Sequence, residues 1–154
     1  MLLALLLACT PAPAPACTDE APTEGGIKAT IDGVVWAAVV QWNLAGTGIQ
    51  FTSAQKDGYR ISLVALVDDQ GRTAEESLAE LPATFLFQDS SGSASVTPDQ
   101  GESSATSKGG GGSLSIAEQV DDDLVGCFSF TAGTSSGTEV LVEAGSFWAS
   151  PLAL

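Results

Sequence analysis

From residue 27 onward, apolar and polar positions alternate in short runs broken by Gly, Asp and Ser. Successive side chains of a strand point to opposite faces, so such alternation predicts strands with one buried face. Ile27-Lys-Ala-Thr-Ile-Asp32 alternates, Gly33 interrupts it, and Val34 to Trp42 continues as an apolar run. Asp-Gly between two such runs is a hairpin signal, because both central residues of the tight turn take positive φ. Gly48–Ala54 and Tyr59–Val67 read as further strands, the second nearly unbroken from Ile61 and so expected in the middle of a sheet. Thr73 to Leu81 is the one helical candidate, with Thr73 and Glu76 spaced as a capping box and Pro82 as its stop. Ala83–Phe87 returns to strand, and residues 89–112 are rich in Ser, Gly, Thr and Asp, with a weak strand at Ala94–Thr97.

The C-terminal third is the most regular. Ser113–Val120, Val125–Ala132 and Thr138–Ala149 are separated by Asp121-Asp122-Asp123 and by Gly133-Thr-Ser-Ser-Gly137, the pattern of an antiparallel meander. In the middle run Leu124, Gly126, Phe128 and Phe130 share one face, and Val125, Cys127, Ser129 and Thr131 the other. The phenylalanines are therefore expected in the core, with Cys127 on the outer face. Gly145 permits a bulge before Phe147-Trp148. Together these runs predict an all-β domain, an antiparallel sandwich or barrel of about seven to eight strands with at most one short helix.

Charge narrows the partners. The 154-residue chain holds 19 acidic against 5 basic residues, a net charge of −14. Such a surface repels phosphate backbones, which excludes nucleic acid as a partner class, and repels anionic headgroups. Acidity also serves solubility alone.

The first eight residues, Met1 to Ala8, are one apolar run, and Thr10-Pro-Ala-Pro-Ala-Pro-Ala16 follows Cys9. The run is too short to cross a bilayer, which takes about 20 apolar residues. Alternating Pro and Ala favours polyproline II or disorder, a stiff spacer. Leu6-Leu-Ala-Cys9 resembles the lipobox of bacterial lipoproteins, in which a small residue precedes the Cys that becomes the lipidated N-terminus. A basic segment ahead of the apolar run is missing, which points to a translation start further upstream. A plain cleaved secretion signal is the other reading. The resemblance implies a lipid bilayer partner reached through an acyl anchor on Cys9, and a place in the bacterial cell envelope. Thr10 stands where an inner-membrane retention Asp would be, which implies the outer membrane. The chain then divides into a signal segment (1–8), a lipidated Cys with its tether (9–26) and a single β domain (27–154). Cys17 and Cys127 remain, an even pair in an oxidising compartment; they form one disulfide or both stay free.

Four further segments, in order, resemble a family of small bacterial lipoprotein β domains of unknown function. They are Ala29-Thr-Ile-Asp-Gly33 with Trp36-Ala-Ala38, Gly112-Ser-Leu-Ser-Ile-Ala-Glu118, Gly126-Cys-Phe-Ser-Phe-Thr-Ala132 and Gly145-Ser-Phe147. The resemblance spans about Lys28 to Ser150 without its middle, and implies a β-rich exported domain and nothing about catalysis.

The chain has no His. That removes Ser-His-Asp triads, His general bases and the His-based zinc sites. Two facing carboxylates would suffice for a glycosidase, with Asp32, Asp57, Glu118 and Glu143 as candidates. Asp121, Asp122 and Asp123 are a weak cation-site candidate, without EF-hand spacing, and a solvated turn explains them equally. Asp68-Asp69 reads the same way. Lys108 precedes its glycines, the wrong order for a phosphate-cradling loop. Trp36 sits among apolar residues and reads as core, whereas Trp148 near the C-terminus is the candidate for stacking on a sugar. No cofactor is expected. The reading that follows is a membrane-tethered, non-catalytic β domain that binds an envelope protein or glycan. The alternative is a carboxylate-dependent glycan hydrolase or carbohydrate-binding module.

Overall fold

A computed structural model describes residue 17, residues 22–108 and residues 110–153. Among the described residues ten strands form one sheet: β1 (Gly26–Ile31), β2 (Val34–Ala45), β3 (Gly48–Ser53), β4 (Tyr59–Ala65), β5 (Ala83–Leu86), β6 (Gly92–Pro98), β7 (Ser104–Ala105), β8 (Gly111–Val120), β9 (Asp123–Gly133) and β10 (Glu139–Pro151). The chain is all-β, as its alternation predicts. Pairing runs β5-β8-β9-β10-β1-β2-β3-β4-β6, and β7 bridges β6 back to β9, so the sheet closes on itself like a barrel. Every pairing is antiparallel except a two-residue parallel contact, where β10 runs past the start of β1 and meets β2 at Gln41 and Trp42.

The strand count exceeds the expected seven to eight for physical reasons. β7 is two residues long and carries no period of its own. β8, already read as Ser113–Val120, starts two residues earlier inside the glycine run, because those glycines allow close approach to β9. A Cβ on Gly110 would clash with the Thr131 carbonyl, and one on Gly112 with the Ser129 carbonyl.

Local signals act as read elsewhere. Asp32 and Gly33 both take positive φ, 47° and 84°, and turn β1 into β2. Helix α1 (Ala74–Ser77) is a single turn, and Thr73 Oγ1 accepts from the Glu76 backbone N–H at 3.2 Å. β8, β9 and β10 are sheet neighbours in that order, and the β10 register shifts between Val142 and Gly145. The positive φ at this bulge belongs to Ala144 (49°). Gly145 serves packing instead, since a Cβ there would lie 2.5 Å from the Phe128 ring.

The core lies inside the closed sheet. Ile27, Ile31, Trp36, Phe51, Ile61, Leu63, Phe85, Leu114, Phe128, Phe130 and Phe147 are all buried there. Phe51 and Phe147 pack tilted at 47° with ring centroids 4.6 Å apart, and Phe128 continues the aromatic line to Phe130 at 6.2 Å. Among the described residues no helix is long and apolar enough to cross a membrane.

Candidate functional site

Three features of the outer surface bear on function: the disulfide, the acidic turn with its two tryptophans, and a groove over β2 and β3.

Cys17 and Cys127 are bonded, with Cα atoms 5.5 Å apart and 110 positions apart in sequence. The geometry follows from strand period. Phe128 and Phe130 face inward, so Cys127 faces outward, where a segment outside the barrel reaches it. Ser115 of β8 and Ser146 of β10 flank Cys127 in register, and both are buried despite lying on the outer face. On the far side of Ser146, Lys28 of β1 is its partner, and Ala37 of β2 is the partner of Lys28. One outward row therefore runs Ser115–Cys127–Ser146–Lys28–Ala37. Cys9, the expected lipid site, lies outside the described residues.

Asp121, Asp122 and Asp123 form the tip of the β8–β9 hairpin, with Asp121 at φ 53°. Two of their oxygens accept from indoles. Trp42 Nε1–H donates to the Asp122 carbonyl at 3.1 Å, and Trp148 Nε1–H donates to Asp123 Oδ2 at 2.9 Å. Among the described residues no group of three or more acidic or Cys side chains converges to hold a metal. Trp148, the stacking candidate, is half-buried with its N–H committed to Asp123. Its position in β10, opposite Val125, explains the burial. Millimolar calcium at matched ionic strength is expected to leave the melting temperature unchanged in wild type and in Asp122→Asn alike. A saturable rise that only the wild type shows would reassign this turn as a calcium site.

Trp36 is core, as read, and its Nε1–H donates to the Lys56 carbonyl at 2.7 Å. The acids scatter. Asp32 and Asp57 are turn residues with positive φ, and Asp32 Oδ1 is taken by the Leu141 backbone N–H. Glu143 pairs with Thr30 across β10 and β1, and Glu118 with Val125 across β8 and β9. Asp68 departs from its reading as a solvated turn. It is buried, accepts backbone N–H bonds from Gln70 and Arg72 on Oδ1, and receives Arg72 Nε on Oδ2 at 2.7 Å. That hydrogen bond, reinforced by the nearby charges of Asp68, Glu80 and Asp69, raises the Arg72 pKa above its ordinary value. The cluster braces the chain between β4 and α1. Composition could not flag it, since the burial depends on where the sheet closes.

A groove of about 440 Å³ lies on the outer face of β2 and β3. Gln41 and Asn43 face Thr52 and Gln50 across the strands, and Val39 and Leu152 bound the groove. No charged side chain lines it, although the chain is strongly acidic. The smaller depressions beside Asp89 and beside Lys28 hold at most one acid each. None of these surfaces pairs two carboxylates in the way glycoside hydrolysis requires.

No protein-family model, no curated protein and no solved structure matches this chain.

Proposed function

We propose that this chain is an exported lipoprotein of the bacterial cell envelope. Acyl chains on Cys9 hold it to a bilayer, the outer membrane in an organism that has one, and its β domain binds or braces an envelope component without catalysis. The observation that carries the reading is the Cys17–Cys127 disulfide. Disulfides persist in oxidising compartments outside the cytosol. This one also ties the segment just after the lipobox-like Leu6-Leu-Ala-Cys9 to the folded domain. The scattered acids and the lack of His weigh against hydrolysis. The net charge of −14 weighs against nucleic acid as a partner.

A glycan-binding module is the second reading. The uncharged groove of Gln41, Asn43, Gln50 and Thr52 supports it, because amides and hydroxyls match the hydrogen-bonding groups of a neutral sugar.

Acyl labelling and detergent partitioning test the anchor. The wild-type gene product is expected in the detergent phase carrying label, and Cys9→Ser in the aqueous phase without it. Identical aqueous, unlabelled behaviour of both would remove the anchor and leave a soluble exported protein. One short acyl chain holds a protein only marginally, so stable partitioning also requires at least two chains.

A further inference from the structure

The outer face of β2 carries apolar side chains that the core does not use. Val35 is 83% exposed and Val39 62%, with the exposed Ala37 between them on the same face. Val34, 68% exposed at the hairpin end, is in phase with the inward Trp36 and Val40 and is not part of this face. Contiguous exposed apolar surface on a single domain marks an interaction site more often than chance.

Two observations say what covers it. The first is where the chain outside the fold leaves the domain. Cys17 is fastened to Cys127, and Cys127 shares its row with Ser146, Lys28 and Ala37. Three strand spacings separate Cys127 from Ala37, about 14 Å along the sheet. Eight residue steps join Cys9 to Cys17. Fully extended they span at most about 28 Å. A domain of this size is roughly 35 Å across, so the face opposite the clip lies beyond what that length can bring to the anchor's bilayer. The second observation is charge. The row from Ser115 to Ala37 contains no acid in a chain with 19 of them, and its one ionised side chain is Lys28. Asp32 and Glu143 stand at the border of the patch, beside Leu141 and Thr30.

We infer that the outward face around Val35, Ala37 and Val39 is the surface that rests on the membrane, with the valines at the headgroup–acyl boundary and Lys28 among the phosphates. The inference rests on the Cys9 anchor proposed above. Long basic side chains suit this position, because an apolar stem can lie on apolar surface while the ammonium meets lipid phosphate. Two valines cannot hold a protein to a bilayer alone. They orient one that is already tethered, as a second weak contact does when the first fixes its effective concentration. The disulfide is what makes the orientation follow. Without it, the free length from Cys9 to Gly26 doubles to 17 steps, up to about 60 Å, enough to pass around the domain.

The test uses the lipidated full chain in phosphatidylcholine vesicles. An environment-sensitive fluorophore is placed at Val35→Cys and, as the far-side control, at Ser93→Cys, an exposed site on β6. Expected is blue-shifted emission at Val35, quenched severalfold by nitroxide lipid, with aqueous, unquenched emission at Ser93. With the fluorophore at Ala37→Cys, the Val35→Asp, Val39→Asp pair should lose the quenching while the chain still floats with the vesicles. Replacing both Cys17 and Cys127 by Ser should bring the quenching at the two sites closer together. Aqueous emission at Val35, or equal quenching at Val35 and Ser93, in a chain that floats would overturn the oriented face and leave the anchor standing. A chain that does not float overturns the anchor, and the oriented face with it.

Discussion

Phe147→Ala is expected to lower the unfolding free energy by about 4 kcal/mol, within the 3–5 kcal/mol range for truncating a buried Phe. Phe147 is fully buried, packed against Phe51 at 4.6 Å and next to Phe128 at 6.3 Å. It sits on β10, the strand that pairs with β9, β1 and the end of β2, so the cavity would open where the two halves of the sheet join. The site resists collapse. Gly126, opposite on β9, is already in close contact: a Cβ there would lie 2.6 Å from the Phe147 ring and would clash with the Ser115 carbonyl. A backbone held this tightly on both sides cannot move in to fill the space, which places the cost toward the upper part of the range. Denaturant melts of wild type and variant at equal m-value measure it. Phe130→Ala, at the other end of the aromatic line, serves as the companion. A loss below about 1 kcal/mol at Phe147 would mean that β10 is misregistered against β9.

Much of this fold is written in local pattern. Period-two alternation in β9 alone separates Phe128 and Phe130 from Cys127, and so fixes both the core face and the side on which a disulfide can form. Asp32-Gly33 announces its hairpin because the left-handed turn needs residues that tolerate positive φ. Asp57 and Gly58 adopt the same signs, 44° and 89°, yet are less legible, since the bridge they close joins only Lys56 to Tyr59. Other features are set by closure and not by any window of sequence. β7 exists because β6 is brought back to β9, and Asp68 is buried where Arg72, in the loop before α1, folds back onto it. Nothing in the sequence around Trp148 announces that Asp123, 25 residues earlier, accepts its N–H. The outward valines of β2 show the converse limit. An apolar run reads as core on both faces, and only the curl of the sheet reveals that Val35 and Val39 are turned to solvent.

Removal of the disulfide is expected to cost about as much as Phe147→Ala, by a different route. Cys17 and Cys127 stand 110 positions apart, so the bond closes the chain from before β1 into β9 as one loop, with β10 outside it. In the chain-entropy model a loop of that length restricts the unfolded state by about 5 kcal/mol. Cys127→Ser, or reduction of the wild type, is therefore expected to lower stability by about 3–5 kcal/mol, the lower figure applying if the reduced unfolded chain keeps some compactness. Most of the loss belongs to the unfolded state, so the β fold itself should persist. The far-ultraviolet spectrum of the reduced protein at room temperature should stay that of a sheet, with the melting temperature lowered. The two variants Cys17→Ser and Cys127→Ser remove the same loop and should cost the same. They differ in what they leave behind: Cys127→Ser places a hydroxyl between Ser115 and Ser146, while Cys17→Ser leaves a thiol there. A Cys127→Ser loss well beyond that of Cys17→Ser would measure local packing at β9, separately from loop closure. If reduction left the melting temperature unchanged, the bond would contribute nothing to the fold, and the N-terminal segment would be held on the outer face by other contacts.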